Sequence, residues 1–315
     1  MNKRDAVLNL LDQSRRPEYT PAAFFIHFNW WCRRYGPAAI QKHLEFFRYT
    51  GMDFLKIQYE NEFPRVRKIK SPNHWANMPY YEKKFYSGQL EIARQLVREV
   101  KREALVIMTV YSPFMCAGHT VGDHVITEHL KENPEEVKKG MEIITESLMG
   151  FVKECVRLGV DGFYACTMGG EAHRFEDSTP FEECIKPFDL ALMHEMERAC
   201  QFNILHICDY HDGYDDLSLF FDYPGHVVNC SLRRGESKMS MQEVSQLFGR
   251  PFMGGMEKRG VLTNGTRDEI MNTVEHCLDD APDHFILGAD CTLPGDIDWD
   301  NIRTAISTAR HRNEG

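Results

Sequence analysis

The sequence predicts an α/β protein, a single (β/α)8 barrel (TIM barrel) over residues 1–315, with a lead-in helix before the first strand. Eight short apolar runs alternate with stretches of helical periodicity, as is typical of parallel strands joined by helices. The runs are almost continuously apolar, which is expected when both faces of a strand are buried. An open doubly wound sheet is the alternative. It needs a glycine-rich turn after the first strand, and residues 28–33 contain no glycine.

The predicted strands are short, and most of them run into polar residues. The first is rich in Phe and Ile, and the fifth ends in the sequence His-Ile-Cys-Asp. In chain order, the predicted strands occupy residues 22–29, 53–60, 105–112, 162–167, 203–209, 226–232, 251–256 and 284–291.

Capping and turn residues mark the predicted helices. Pro37 stands in the first turn of one helix and Gly51 lies just past its end. Thr266 and Glu269 have the spacing of a capping box. The predicted helices occupy residues 4–14, 37–49, 88–102, 134–158, 180–200, 215–221, 240–248, 266–279 and 298–311. Residues 61–86 are too many for an ordinary connection, so this segment and the loop 116–128 are predicted to be lid or docking elements.

The composition is that of a soluble cytoplasmic enzyme. A net charge of −10, from 47 acidic and 37 basic residues, argues against a nucleic-acid partner. No apolar run approaches the roughly 18 residues that cross a bilayer, and the N-terminus lacks a signal-peptide pattern. The ten cysteines are scattered, which suits reduced thiols better than a disulfide framework. We therefore expect a cytoplasmic protein without a membrane partner, and a homodimer is a candidate assembly.

In a barrel of this kind the active site lies at the carboxyl ends of the strands. The residues predicted there form a polar mouth with an unusual share of sulfur and carboxylate. Five of them, chosen by position, are predicted substrate contacts: Asn29, Tyr111, Tyr164, Glu171 and Asn229. The other strand ends carry Glu60 with Glu62, His206 with Cys208, Cys230, Met256 with Glu257, and Asp290 with Cys291.

A candidate zinc site stands out in this mouth. His206 and Cys208 are two residues apart on one strand, so their side chains point to the same face. Cys291 ends the last strand, and three such ligands with an open fourth position are typical of catalytic zinc. The His-x-Cys pattern alone is weak, since about 0.4 such pairs are expected by chance with 14 His and 10 Cys. The alternative is a core histidine beside inert, buried cysteines.

Three segments resemble the uroporphyrinogen decarboxylase superfamily. They are residues 205–209 (Leu-His-Ile-Cys-Asp), 255–266 and 285–294, the last followed by Asp-Asn-Ile at 300–302. Within the superfamily they are most similar to the cobalamin-linked methyltransferases, such as methylcobalamin:coenzyme M methyltransferases. That branch carries a zinc motif His-x-Cys…Cys with the last Cys about 80 residues on, and here Cys208 and Cys291 are 83 apart.

The sequence departs from the true decarboxylases in two places. Their N-terminal Arg-x-x-Gly-Arg-Tyr pattern is absent from residues 27–36, and their Gly-His-Gly is replaced by Gly-Ala-Asp-Cys at 288–291. An acidic residue does stand near the catalytic Asp of that family, as Glu60. A metal-free decarboxylase-like lyase is therefore the alternative function, and a barrel that only binds ligands, with inert cysteines, is a weaker third.

The resemblance implies a zinc-dependent methyltransferase. Its metal ligands would be His206, Cys208 and Cys291, and its acceptor a small molecule with a thiol or similar group. The methyl donor would be a methylcorrinoid on a separate carrier protein, because the chain has no Asp-x-His-x-x-Gly corrinoid motif of its own. The fourth zinc ligand stays open among Glu171, Asn229, Cys230 and Asp290.

Overall fold

A computed structural model describes residues 2–28, 36–58 and 62–314. Seven parallel strands in this part of the chain form one sheet in the order β1-β2-β3-β4-β5-β8-β9, and β6 and β7 form a small antiparallel hairpin beside it. The strands are β1 (Phe54–Ile57), β2 (Leu105–Tyr111), β3 (Gly162–Thr167), β4 (Ile204–Ile207), β5 (Val227–Cys230), β6 (Arg233–Arg234), β7 (Ser237–Lys238), β8 (Phe252–Met256) and β9 (Phe285–Ala289). The predicted α/β architecture with a parallel sheet is confirmed.

The first predicted strand, 22–29, is not a regular strand in the described residues. It makes two isolated parallel bridges, Ala22 with Leu287 and Ile26 with Leu293. On its other side, the amide of Asp53, just before β1, donates to the carbonyl of Ala22 at 2.9 Å, and the carboxylate of Asp53 accepts the amide of Ala22 at 2.8 Å. The segment therefore lies between β9 and β1, but its few ladder bonds leave seven regular strands where eight were predicted.

Helices pack around the sheet, and several boundaries differ from the prediction. The lead-in helix ends at Asn9, because Asp12 accepts the amide of Ser14 at 3.1 Å in a turn that replaces its last residues. The predicted loop 116–128 is two helices, the first capped by Ser112. The capping box of Thr266 and Glu269 is confirmed. The α-helices are α1 (Lys3–Asn9), α2 (Gly36–Thr50), α3 (Ser87–Val100), α4 (Pro113–Val121), α5 (Asp123–Glu132), α6 (Pro134–Leu158), α7 (Thr179–Cys184), α8 (Lys186–Ala199), α9 (Met241–Phe248), α10 (Val261–Asn264), α11 (Arg267–Asp279) and α12 (Trp299–Glu314). Short 3-10 helices span Pro72–Asn77 and Ser218–Phe220, the second in place of the predicted helix 215–221.

The long segment after β1 is anchored to the helices that surround the sheet. Trp75, in the 3-10 helix Pro72–Asn77, is fully buried, and its indole N–H donates to His129 Nδ1 at 3.1 Å. It packs on Gly140 of α6, where an added Cβ would lie 2.4 Å from the indole ring. The middle of the segment is therefore packed against helices, and of its described residues only 62–65 line the cavity above the sheet.

Asp189 of α8 is a buried carboxyl group without an ion-pair partner among the described residues. It accepts hydrogen bonds from Thr167 Oγ1 at 2.6 Å and from the Tyr223 hydroxyl at 3.2 Å. Burial raises its pKa to about 7, although these hydrogen bonds oppose the shift.

Among the described residues, no helix combines the length and apolar character that a bilayer crossing requires.

Gly140→Ala should destabilise the protein by about 1–3 kcal/mol, because its methyl group would overlap the buried indole of Trp75. Gly150→Ala is the matched control on the same helix, since the nearest atom to its added Cβ is the Tyr80 hydroxyl at 3.8 Å. This control should stabilise by up to about 1 kcal/mol through helix propensity. Urea unfolding measures both variants, and equal effects at the two positions would contradict the packing argument.

Asp189→Asn should flatten the dependence of stability on pH. The folded-state pKa of about 7 lies above the ordinary value of 3.8, so the native state holds a proton that the unfolded state has lost. Wild-type stability should therefore fall as pH rises from about 4 to about 7, by at most about 1.4 kcal/mol per pH unit from this group. Unfolding free energies of both proteins across this range test the slope, and parallel curves would contradict it.

Candidate metal centre

The structure brings together the three residues that the sequence predicted as zinc ligands. His206 lies in β4, Cys208 follows it directly, and Cys291 follows β9. Their ligand atoms all lie within 4.8 Å of one another, and no other such cluster of His, Cys, Asp or Glu occurs in the described ranges. Strands β4 and β9 are separated by β5 and β8 in the sheet, so its curvature is what makes the two ends meet.

The geometry and the donor set fit a zinc ion. The Cys291 sulfur lies 3.5 Å from His206 Nε2. Zinc bonds of about 2.0 Å to nitrogen and 2.3 Å to sulfur, in a tetrahedron, place these two atoms about 3.5 Å apart. His206 and Cys208 are buried, whereas Cys291 is half-buried and faces the cavity. One imidazole and two sulfurs leave a fourth position for an exogenous ligand.

The two thiols of the trio titrate in opposite directions. A hydrogen bond from Cys208, the largest influence, lowers the pKa of Cys291 well below its usual range, and His206 and Lys258 act in the same sense. The same hydrogen bond, together with burial, raises the pKa of Cys208. Of the two thiols, Cys291 therefore takes the thiolate form more readily, and the thiolate is the form that binds metals.

Lys258, which follows β8, is a charged neighbour of the trio that the sequence analysis missed. Its ammonium group contacts Asp209, and its backbone N–H donates to Asp290 Oδ1 at 2.7 Å. Burial is the largest influence on its pKa and lowers it, but attraction to Asp209, Cys291 and Asp290 raises the pKa overall. Burial raises the pKa of Asp290 to about 6. Lys258 therefore stays protonated and places a positive charge beside Cys291.

A cavity of about 610 Å³ opens above the trio. Its volume is within the range of small-molecule sites, and most of its lining is apolar. Its polar lining includes His119, whose pKa is lowered by burial and whose Nδ1 has no hydrogen-bond partner in the described part of the chain. Cys166 of β3 also lines it, directly beside His206 in the sheet register.

A buried cation and a free hydroxyl mark one side of this cavity. Lys56 is 5% exposed, and its Nζ lies 3.0 Å from Gln58 Oε1 and 4.6 and 4.7 Å from the ring centroids of Phe25 and Tyr164. The hydroxyl of Thr109 is buried without a hydrogen-bond partner within the described residues. Both groups can receive a polar or anionic part of a ligand. Neither residue follows a strand end, so the sequence pattern did not indicate either of them.

The predicted substrate contacts have different positions. Tyr111 and Tyr164 line the cavity. Glu171 does not, because it is buried in an ion pair with Arg174, with Oε1 2.9 Å from Nη2. Asn229 is also below the cavity, and its amide is fully used by neighbours on three strands. Asn29, and Glu60 with its predicted catalytic role, lie outside the described residues.

None of the candidate fourth ligands with a thiol or carboxylate joins the trio in the described part of the chain. The Cys230 sulfur accepts from Arg234 Nη2 at 3.6 Å, and burial raises its pKa to about 11. Glu171 and Asp290 are engaged by Arg174 and Lys258, respectively. Asn229 makes its three hydrogen bonds within the barrel. His206, Cys208 and Cys291 all line the cavity, so a ligand in the cavity can reach the trio.

Known proteins match this chain at the level of a family and of the fold. The family model described as Uroporphyrinogen decarboxylase (URO-D) matches residues 50–312. No curated protein is significantly similar in sequence.

Several solved structures share the fold at low sequence identity. A methyltransferase from Methanosarcina mazei aligns with a TM-score of 0.76 and 12% identity, over 99% of each chain. A B12-independent methionine synthase from Shewanella sp. W3-18-1 gives a TM-score of 0.54 and 15% identity, over 88% of this chain and 86% of that one. A putative vitamin-B12 independent methionine synthase from Listeria monocytogenes gives 0.55 and 11%, over 87% and 85%.

Proposed function

The chain belongs to the uroporphyrinogen decarboxylase family, and we propose that it is a zinc-dependent methyltransferase. It moves a methyl group from a methylcorrinoid, held by a separate carrier protein, to a small acceptor with a thiol group. The family predicted from residues 205–302 is confirmed by the match over residues 50–312. The zinc ion, the corrinoid donor and the thiol acceptor go beyond this match and form the proposal.

The trio at the barrel mouth is the observation that carries the proposal. His206, Cys208 and Cys291 would hold the ion, with Cys291 already favouring the thiolate form. A zinc ion held there would act as a Lewis acid, which would lower the pKa of an acceptor thiol and make its sulfur nucleophilic at neutral pH. The likeness in fold to the Methanosarcina mazei methyltransferase supports this function.

The remaining groups of the cavity bind and orient the acceptor. Lys56 and the unpartnered hydroxyl of Thr109 can hold an anionic group at the other end of a thiol. The apolar walls, among them Phe63, Met115 and Met168, exclude water around the sulfur. Fixing both ends of the acceptor raises the effective concentration of its sulfur at the methyl donor.

The charge of the cavity disfavours the alternative, a metal-free lyase. Within the described residues, two basic side chains, Lys56 and Arg65, and two acidic ones, Glu62 and Asp123, make up its strongly charged lining. Decarboxylation of a tetrapyrrole with several carboxylates requires an excess of cations to hold them. This balanced lining suits a small acceptor with one negative charge better.

Removal of either cysteine of the trio should abolish both zinc binding and methyl transfer. We expect about one zinc per chain in the wild type, and transfer from methylcobalamin to a thiol such as 2-mercaptoethanesulfonate or homocysteine. Cys208→Ala and Cys291→Ala should lose most of the zinc and the activity. The matched controls Cys277→Ala, buried, and Cys200→Ala, half-buried, remove cysteines outside the trio and should keep both. A zinc-free wild type that decarboxylates uroporphyrinogen would overturn the proposal.

Lys56→Met and Thr109→Val should raise KM for an anionic thiol while leaving zinc content unchanged. A hydrogen bond to a charged group contributes about 1.5–3 kcal/mol, so the Lys56 variant should bind the acceptor at least about tenfold more weakly. Lys42→Met is the matched control, since Lys42 also lies over an aromatic ring, 4.0 Å from the centroid of Trp299, but does not line the cavity. Steady-state kinetics with 2-mercaptoethanesulfonate measure the effect. An unchanged KM in both variants would remove Lys56 and Thr109 from acceptor binding.

A further inference from the structure

We infer that Tyr164 and Asn229 are positioning residues of the metal centre, which orient the imidazole of His206 and tie it to the strand that leads to Cys291. The inference rests on the proposed function, since it concerns the ligands of the proposed zinc. It assigns to both residues a role other than the substrate contact that their position in the sequence predicted.

The imidazole of His206 lacks the usual means of orientation. A zinc-bound histidine ordinarily donates its second ring N–H to a carboxylate, a carbonyl or water, which fixes the rotation of the ring. Here Nε2 faces Cys291, and Nδ1 is buried without a hydrogen-bond partner among the described residues. Another contact must therefore hold the ring in place.

The ring of Tyr164 provides that contact. It stacks on the imidazole of His206, with ring centroids 4.8 Å apart and planes inclined by 23°. In the register of β3 and β4, Cys166 pairs with His206, so Tyr164 is the diagonal neighbour on the same face. Both side chains are at least 98% buried, so neither ring can turn without displacing the other.

Asn229 fixes the position of Tyr164 in turn. The phenolic hydroxyl, on β3, donates to Asn229 Oδ1 on β5 at 2.6 Å, so the tyrosine reaches past the strand that carries His206. The amide nitrogen of Asn229 then donates to the carbonyl of Met253 at 2.8 Å and to that of Ala289 at 3.0 Å. Asn229 is completely buried, and its oxygen and both of its N–H groups are engaged.

This chain of contacts joins the two halves of the metal centre. Ala289 ends β9 and stands two residues before Cys291. The contacts thus run from the His206 ring through Tyr164 and Asn229 to the strand that carries the third ligand. A preorganised ligand set binds its metal more tightly than one that must be ordered on binding, so the contacts should act on metal affinity.

Zinc affinity of the purified full-length protein tests the inference, measured by competition with a chromophoric chelator. Tyr164→Leu removes both the stack and the hydroxyl, and should weaken zinc binding by about 10- to 100-fold, the range found for partners that orient metal ligands. Tyr164→Phe keeps the stack but leaves Asn229 Oδ1 unpaired, and its loss should be smaller. Tyr223→Phe is the matched control, because its buried hydroxyl bonds to Asp189 at 3.2 Å, away from the trio.

Substitution of zinc by cobalt adds a second measurement, the spectrum of the bound ion, which a general loss of protein stability would not change. The ligand-field spectrum of bound Co²⁺ should change in Tyr164→Leu at full occupancy, and stay as in the wild type in Tyr223→Phe. If Tyr164→Leu and Tyr164→Phe fold and keep wild-type zinc affinity and the wild-type spectrum, this inference is wrong, whereas the proposed function is unaffected. If Tyr164→Leu does not fold, the result for Tyr164→Phe tests the inference. A wild type that binds zinc but transfers no methyl group would overturn only the proposed function. A wild type that binds neither metal would overturn both.

Discussion

Curvature of the parallel sheet is the constraint on which the rest of the structure depends. Near the N-terminus, the amide of Ala23 donates to Leu287 at 3.0 Å and the carbonyl of Pro21 accepts from Leu287 at 2.9 Å, while the amide of Asp53 donates to Ala22 at 2.9 Å. These few bonds place one short segment between the last strand and the first. The resulting curvature brings the ends of β4 and β9 face to face, although two strands separate them within the sheet. A flat sheet of the same strands would keep His206 and Cys291 apart.

Two sets of contacts hold the trio: the charged contacts of Lys258 on one side and the neutral contacts of Asn229 and Tyr164 on the other. Lys258 reaches Asp209, which follows Cys208, and binds Asp290, which precedes Cys291, so one residue joins both arms of the centre. Beneath, neutral hydrogen bonds of Asn229 join Ala289, near Cys291, to Tyr164, whose ring stacks on His206. The arrangement is electrostatically favourable, because the positive charge of Lys258 near Cys291 stabilises the thiolate of that residue. On the side of Asn229, a buried charge without a partner would destabilise the fold.

Sequence patterns predicted what depends on local chemistry. The capping box of Thr266 and Glu269 and six of the strand positions after β1 could be located because a few neighbouring residues determine them. His206, Cys208 and Cys291 were found because strand ends meet at one face of a barrel. Lys56, Thr109 and Lys258 were missed, because a side chain from within a strand or a loop reaches the cavity or the trio only through the packing of distant segments. For the same reason, Asn229 was predicted at the cavity, whereas its amide binds Tyr164, Met253 and Ala289.

The distance in sequence between Cys208 and Cys291 has a consequence for folding. Under the proposed function, one ion would link residues 83 positions apart and thereby cross-link the fifth predicted strand to the last. Such a link removes conformational entropy from the unfolded chain much as a disulfide does, and the effect grows with the length of the closed loop. The metal would then stabilise the carboxyl-terminal half of the fold as well as take part in catalysis. Loss of the ion would weaken the arrangement of strand ends that brings its ligands together.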